Sequence, residues 1–146
     1  MIIRAASVTD VKDLTSLELQ LFDKNNFALS RRSFQYHIHN NLLLIAYSED
    51  RLVGYALVLL RKKSAKLYSI GVHEKHRNKG IGIQLLNAIC ERVASQGYKS
   101  MLLEVRIDNT TAITLYEKMG AIKLKQISSF YGDGSDAYLM EVNCAY

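Results

Sequence analysis

Hydrophobic positions along this chain change their spacing several times, and each change marks an element. Ile2 to Ala5 is a short apolar run suited to an edge strand. Val11, Leu14, Leu17 and Leu21 then recur at helical spacing, behind Thr9 and Asp10, either of which caps a helix running to Phe22. DKNNFAL reads as a loop. Ser30 caps a second helix, in which Phe34 and Ile38 share one face. Leu42 to Tyr47 and Leu52 to Leu60 read as two strands of a hairpin turning at Glu49-Asp50. In KLYSIGV, alternation turns Tyr68, Ile70 and Val72 one way and Leu67, Ser69 and Gly71 the other.

The clearest helical period comes next. Ile81, Leu85, Leu86, Ile89, Cys90 and Val93 form one face, and Gln84, Asn87, Glu91 and Arg92 the opposite one. Gly97 stops this helix. Met101 to Val105 is nearly continuous apolar sequence, the mark of a central strand buried on both faces. Asp108 or Asn109 caps a last helix, with Ala112, Leu115, Tyr116 and Met119 as its face and Gly120 at its end. Ile122 to Phe130 and Ala137 to Val142 read as strands around the turn GDGS. The order is β-α-α-β-β-β-α-β-α-β-β. It predicts an α/β fold: a mixed sheet with helices on both faces and one right-handed parallel β-α-β crossover.

Composition narrows the function classes. The chain has 146 residues, of which 49% are hydrophobic and 23% charged, as expected of one domain spanning 1–146 with one real core. The formal charge of +5 is spread along the chain. Its densest basic cluster, Arg61-Lys62-Lys63, is a solvated strand end rather than a nucleic-acid patch. The two cysteines, Cys90 and Cys144, make neither a disulfide framework nor a zinc site. His37-Ile38-His39 and His73-x-x-His76 lack the further ligands that a metal site needs, so no metal is expected. MIIRAASVTD has no long apolar signal segment, and no stretch approaches the ~18 apolar residues of a membrane span. A cytoplasmic address, with no membrane partner, follows as the expectation.

The stretch HRNKGIG, residues 76–82, stands immediately before the strongest helix. The first turn of a helix has amides without internal partners and carries partial positive charge. Gly80 and Gly82 let an anion approach those amides, and Arg77 and Lys79 add full charges. The loop is suited to a phosphate or pyrophosphate. It is not a Walker loop, because Gly80 is followed by Ile81, Gly82 and Ile83 rather than Lys-Ser/Thr. It is not the dinucleotide fingerprint either, since Leu85 takes the place of the third glycine.

IGV at 70–72, RNKGIG at 77–82, LLEVRIDN at 102–109 and AITLYEKMGA at 112–121 together resemble the GNAT superfamily of acetyl-CoA-dependent N-acetyltransferases. The likeness is greatest to RimI-type ribosomal-protein alanine N-acetyltransferases and other protein N-terminal acetyltransferases. It implies that the strands at 66–72 and 100–106 run parallel and splay apart, with acetyl-CoA in the notch between them. It implies that the pyrophosphate lies on amides of Asn78 to Ile83, with Arg77 beside them. The pantetheine arm would pair with the edge at Ile70, Gly71 and Val72, and the Val72 amide would face the thioester oxygen.

The resemblance also assigns roles. Glu104 would be the general base, acting through water, and Tyr116 the general acid at the sulfur. Asn109, besides capping its helix, would contact the cofactor or order the approach to it. Tyr131 would cover a peptide acceptor. Glu104 is conspicuous in its own right, an acid inside an apolar strand, where a neighbouring base such as Arg106 is the alternative explanation. Tyr116 at apolar spacing is equally what ordinary core looks like.

Acceptor chemistry can be weighed by acidity. An α-amine titrates near 8 and a lysine near 10.4, so near neutrality a far larger fraction of α-amines is free to attack. A glutamate base suits a protein or peptide N-terminus. A small amine, such as a polyamine, amino acid or antibiotic, is the alternative acceptor, and a non-catalytic acyl-CoA-binding module the alternative class. Cys90 falls mid-helix with no adjoining base, so direct transfer is expected rather than an acetyl-enzyme.

Overall fold

The structure, a computed structural model, describes residues 1–22 and 28–144. Most of the loop expected at DKNNFAL therefore lies outside the described residues. Strands β1 (Ile2–Ala5), β2 (Leu42–Ser48), β3 (Arg51–Leu60), β4 (Ala65–Val72), β5 (Ser100–Arg106), β6 (Ile122–Ile127) and β7 (Ala137–Asn143) form one sheet in the order β1-β2-β3-β4-β5-β7-β6. Helices α1 (Val11–Leu21), α2 (Arg31–Asn40), α3 (Ile81–Ser95) and α4 (Thr110–Lys118) cover it. The expected element order holds throughout.

Two apolar clusters lie on the two faces of the sheet. Val11, Leu14 and Leu17 of α1 and Phe34 of α2 pack with Leu43, Ile45, Tyr55 and Leu57. On the other face the six-residue stripe of α3 packs with Leu44, Ala56, Val58, Leu103 and Met140, together with Ile113 and Tyr116 of α4. Burying a large aliphatic side chain of this kind stabilises by roughly 1.5–3 kcal/mol. The face of α4 centres on Ile113 and Tyr116; Ala112, Leu115 and Met119 flank it and are only half-buried.

The turns follow local chemistry. Glu49 and Asp50 both have positive φ (51° and 62°), the conformation a two-residue hairpin turn requires. Ser30 accepts a hydrogen bond from the Ser33 amide and starts α2, and Asn109 accepts one from the Ala112 amide and starts α4.

Three expectations need correction, and two of them shape the site. The alternation in KLYSIGV breaks at a β-bulge, where Leu57 pairs with Ser69 but Val58 pairs with Leu67. Leu67 therefore shares the α3–α4 face with Ile70 and Val72, while Ser69 and Gly71 face Tyr55 on the α1 side. Secondly, β5 is not buried on both faces. Met101, Leu103 and Val105 are buried, whereas Leu102, Glu104 and Arg106 are half-covered, and Glu104 lines an open notch. Thirdly, β6 ends at Ile127 rather than Phe130. Asp136 accepts hydrogen bonds from the Ser129 amide and Gln126 Nε2, and so closes a structured loop in place of further strand.

Candidate active site

Strands β4 and β5 are parallel and pair at a single position, Lys66 with Leu102. Beyond it β4 continues to Val72 along β3, and β5 continues to Arg106 along β7. The two strands diverge as they run toward the ends where their helices begin. The gap holds a cavity of about 180 Å³, lined by Phe22, Leu67, Tyr68, Ser69, Ile70, Leu103, Glu104 and Tyr116.

The open edge of β4 presents polar backbone. The His73 amide donates to the Val53 carbonyl at 2.7 Å, in register with the pairing of Gly54 to Val72. Hydrogen bonds alternate along an antiparallel ladder, so the backbone groups of Val72 and Ile70 point away from β3, toward the gap. Those of Gly71 point toward β3. A Cβ on Gly71 would lie 2.5 Å from Leu21 Cδ1 and 3.0 Å from Tyr55 Cε1, so this glycine is needed for close packing.

The loop from His73 to Gly80 leads to α3. Asn78 and Gly80 both take left-handed φ (64° and 79°), which curls the chain before the helix. A Cβ at Gly80 would meet nothing within 4 Å, so the space before the helix is open. The first helical bond is donated by the Gln84 amide to the Gly80 carbonyl. Among the described residues, none accepts a hydrogen bond from the amides of 78–83, which is the donor set that an anion requires. Arg77 does more than add charge: its Nε donates to the Val72 carbonyl at 3.2 Å and ties the loop to the notch. Lys79 is exposed. The Ile81 side chain is core, and Ile83 is half-buried.

Glu104 and Tyr116 meet at the cavity from opposite sides, one on β5 and one on α4. The Glu104 carboxylate is ion-paired with Lys66, not with Arg106. Arg106 instead holds Asp133 Oδ2 at 2.9 Å and stacks over the Tyr131 ring at 4.2 Å. Burial, with a smaller contribution from Tyr131, pushes the Tyr116 phenol up to about 12. Tyr131 is also raised, by burial first and by Glu104, against the opposing charge of Arg106. Tyr131 is thus the side chain that influences Tyr116 and is influenced by Glu104. Asn109 sits beyond the end of β5, its Oδ1 accepting from the Ala112 amide as the α4 cap.

Sequence reasoning missed Ser69, Phe22 and Tyr68 at this cavity, and Lys66 as the ion-pair partner of Glu104. It also missed Glu18, which a usable signal marked. Glu18 falls on the apolar stripe of α1 between Leu14, Leu17 and Leu21, as anomalous there as Glu104 is in β5. Among the described residues no three His, Cys, Asp or Glu side chains are arranged so that they could hold a metal ion, the two histidine pairs included.

The model of the acetyltransferase (GNAT) family matches residues 11–121. The chain belongs to this family. It is a GNAT N-acetyltransferase, and the family uses acetyl-CoA. An N-alpha-acetyltransferase of Sulfurisphaera tokodaii is 30% identical across 94% of this chain and 90% of its own length. The crystal structure of the ribosomal-protein-S18-alanine N-acetyltransferase from Escherichia coli superposes with a TM-score of 0.85 at 23% identity, covering 99% of this chain and 94% of that one. A Salmonella typhimurium acetyltransferase structure described with its cofactor acetyl-CoA matches with a TM-score of 0.85 at 19% identity, over 100% of this chain and 95% of that one. At these identities the two structures establish the GNAT fold. Among the described residues no helix is long and apolar enough to cross a membrane.

Proposed function

We propose that this GNAT enzyme transfers acetyl from acetyl-CoA to the N-terminal α-amine of a protein or peptide. The observation that carries the reading is the shared cavity of Glu104 and Tyr116 beside the open edge of β4. The similarity to an N-alpha-acetyltransferase over nearly the whole chain supports the acceptor class.

Acetyl-CoA fits the residues present and supplies the acetyl thioester. The unpartnered amides of 78–83, with Lys79 and Arg77 beside them, would hold its pyrophosphate. The edge groups of Ile70 and Val72 would hold its arm, and the Val72 amide would donate to the oxygen that gains charge. Glu104 would take the proton from the acceptor ammonium through water, leaving a neutral amine to attack. The Tyr116 hydroxyl, neutral at physiological pH, would give its proton to the departing sulfur, and the proton that the new amide nitrogen releases would restore the hydroxyl. Tyr131 and Arg106, stacked at the rim, would cover the acceptor.

The test is CoA release from acetyl-CoA with N-terminal peptides, internal-lysine peptides and polyamines, each compared with Glu104→Gln and Tyr116→Phe. Turnover of free N-terminal peptides that both variants impair is the expected result. Turnover of polyamines alone would overturn the acceptor, and full activity of both variants would overturn the mechanism.

A further inference from the structure

Behind the notch runs a polar chain that the acid–base pair leaves unused. Glu18 on α1 is only 2% exposed. Its Oε1 accepts from the Leu29 amide at 3.1 Å, and its Oε2 accepts from the Tyr55 hydroxyl at 2.5 Å. Tyr55 is fully buried, and its oxygen lies 2.7 Å from Ser69 Oγ. Ser69 lines the same cavity as Glu104 and Tyr116.

Hydrogen counting gives this chain a direction. A phenol has one hydrogen to donate. With Glu18 ionised, the hydrogen of Tyr55 is committed to the carboxylate, and Tyr55 offers Ser69 only lone pairs. Ser69 must then donate its own hydrogen inward, to Tyr55. The remaining lone pairs of Ser69 are left for the cavity. Burial pushes the Glu18 carboxyl up, while the Tyr55 hydroxyl and the Leu29 amide, both donating to it, favour its ionised form. In that form the oriented hydroxyls carry the influence of the negative charge toward the Ser69 oxygen. A serine hydroxyl at a surface turns freely; this one is set as an acceptor.

The surroundings hold the arrangement in place. The Tyr55 ring meets Phe34 edge-on at 5.8 Å, and Gly71 leaves no room beside it for a side chain. The β-bulge places Ser69 on this side; unbroken alternation from Leu67 would have turned it toward α3.

We infer that Ser69 binds the acceptor, its oxygen taking a hydrogen bond from the ammonium or the first backbone N–H of the incoming chain, and that Tyr55 and Glu18 are positioning residues for that bond. This rests on the reading of the notch as the site of acetyl transfer to an amine. It assigns the acceptor a second polar contact, independent of Glu104.

The experiment is steady-state kinetics on Ser69→Ala, Ser69→Thr, Tyr55→Phe and the Ser69→Ala/Tyr55→Phe double variant. Both substrates are varied, and the acceptor is whichever N-terminal peptide or small amine the wild-type enzyme turns over. Ser69→Ala should raise the acceptor KM about tenfold, the scale of one hydrogen bond to a charged group. The acetyl-CoA KM should stay within about twofold, and Ser69→Thr should restore acceptor binding. Tyr55→Phe should raise the acceptor KM less, and the double variant should match Ser69→Ala alone, because one contact is lost in each. An unchanged acceptor KM in Ser69→Ala, a parallel rise in the acetyl-CoA KM, or effects that multiply in the double variant would overturn the inference. A wild-type enzyme that acetylates only small amines refutes the peptide acceptor and still reads Ser69 on that amine. Absence of turnover with every acceptor overturns both.

Discussion

The ammonium of Lys66 lies against the Glu104 carboxylate at the point where β4 and β5 part. The proposed base therefore already holds a cation of the same kind as the substrate it would deprotonate. Glu104→Gln removes the base and leaves Lys66 unpaired beside the acceptor's path. We expect kcat to fall about a hundredfold, the usual scale of general-base loss. The acceptor KM should rise as well, through repulsion by Lys66. Adding Lys66→Met to Glu104→Gln should restore the acceptor KM and leave kcat low. Kinetics on the single and double variants separate the two effects.

Tyr116, the proposed proton donor, should also make a measurable contribution to stability. Its folded-state value of about 12 lies above the ordinary 10, chiefly because of burial. The raised value means that the folded protein holds this proton longer than the unfolded chain does. The contribution is fully present below pH 10 and is lost as pH rises toward 12. A shift of this size corresponds to roughly 3 kcal/mol. Tyr116→Phe should lower kcat about a hundredfold near neutrality. Its denaturation midpoint should also fall less steeply than that of wild type between pH 10 and 12, a comparison that urea unfolding at stepped pH would make.

Much of this arrangement was legible in local sequence, for a physical reason. The α3 stripe, the Asn109 cap, the RNKGIG loop and the pair Glu104 and Tyr116 each leave a mark within one element or one motif. The polar wiring of the notch does not. Glu18 and Tyr55 are 37 residues apart, and Lys66 meets Glu104 only because two strands align. The bulge in β4 that turns Ser69 toward Tyr55 arises from pairing with β3, and nothing within KLYSIGV announces it. The acid on the apolar stripe of α1 was the one local trace of that network.

The edge of the sheet offers a test on the acidic side. Arg4 grips Asp10 with two bonds of 2.9 Å, and the Ser7 amide donates to the same carboxylate at 2.8 Å. Burial alone would raise Asp10, but these donors and Tyr47 win and hold it at about 2, below the ordinary 3.8. A depressed value stabilises above the ordinary one and is lost as pH falls through the folded one. The tie between β1 and α1 should therefore weaken between pH 3.8 and about 2. Asp10→Asn should cost on the order of 2 kcal/mol at neutral pH and little at pH 2, measured by chemical denaturation.

Gly80 and Gly97 allow the anion cradle to be tested against a matched control. Both have left-handed φ, 79° and 94°, and at both a Cβ would meet nothing within 4 Å. Alanine at either position carries the same backbone penalty, about 1–2 kcal/mol. Only at Gly80 would the added methyl stand before the free amides of α3. Gly80→Ala should raise the acetyl-CoA KM about tenfold, whereas Gly97→Ala should leave it unchanged at a similar loss of Tm. Equal KM values in the two variants would move the pyrophosphate away from this loop, and with it the assignment of the β4 edge to the pantetheine arm.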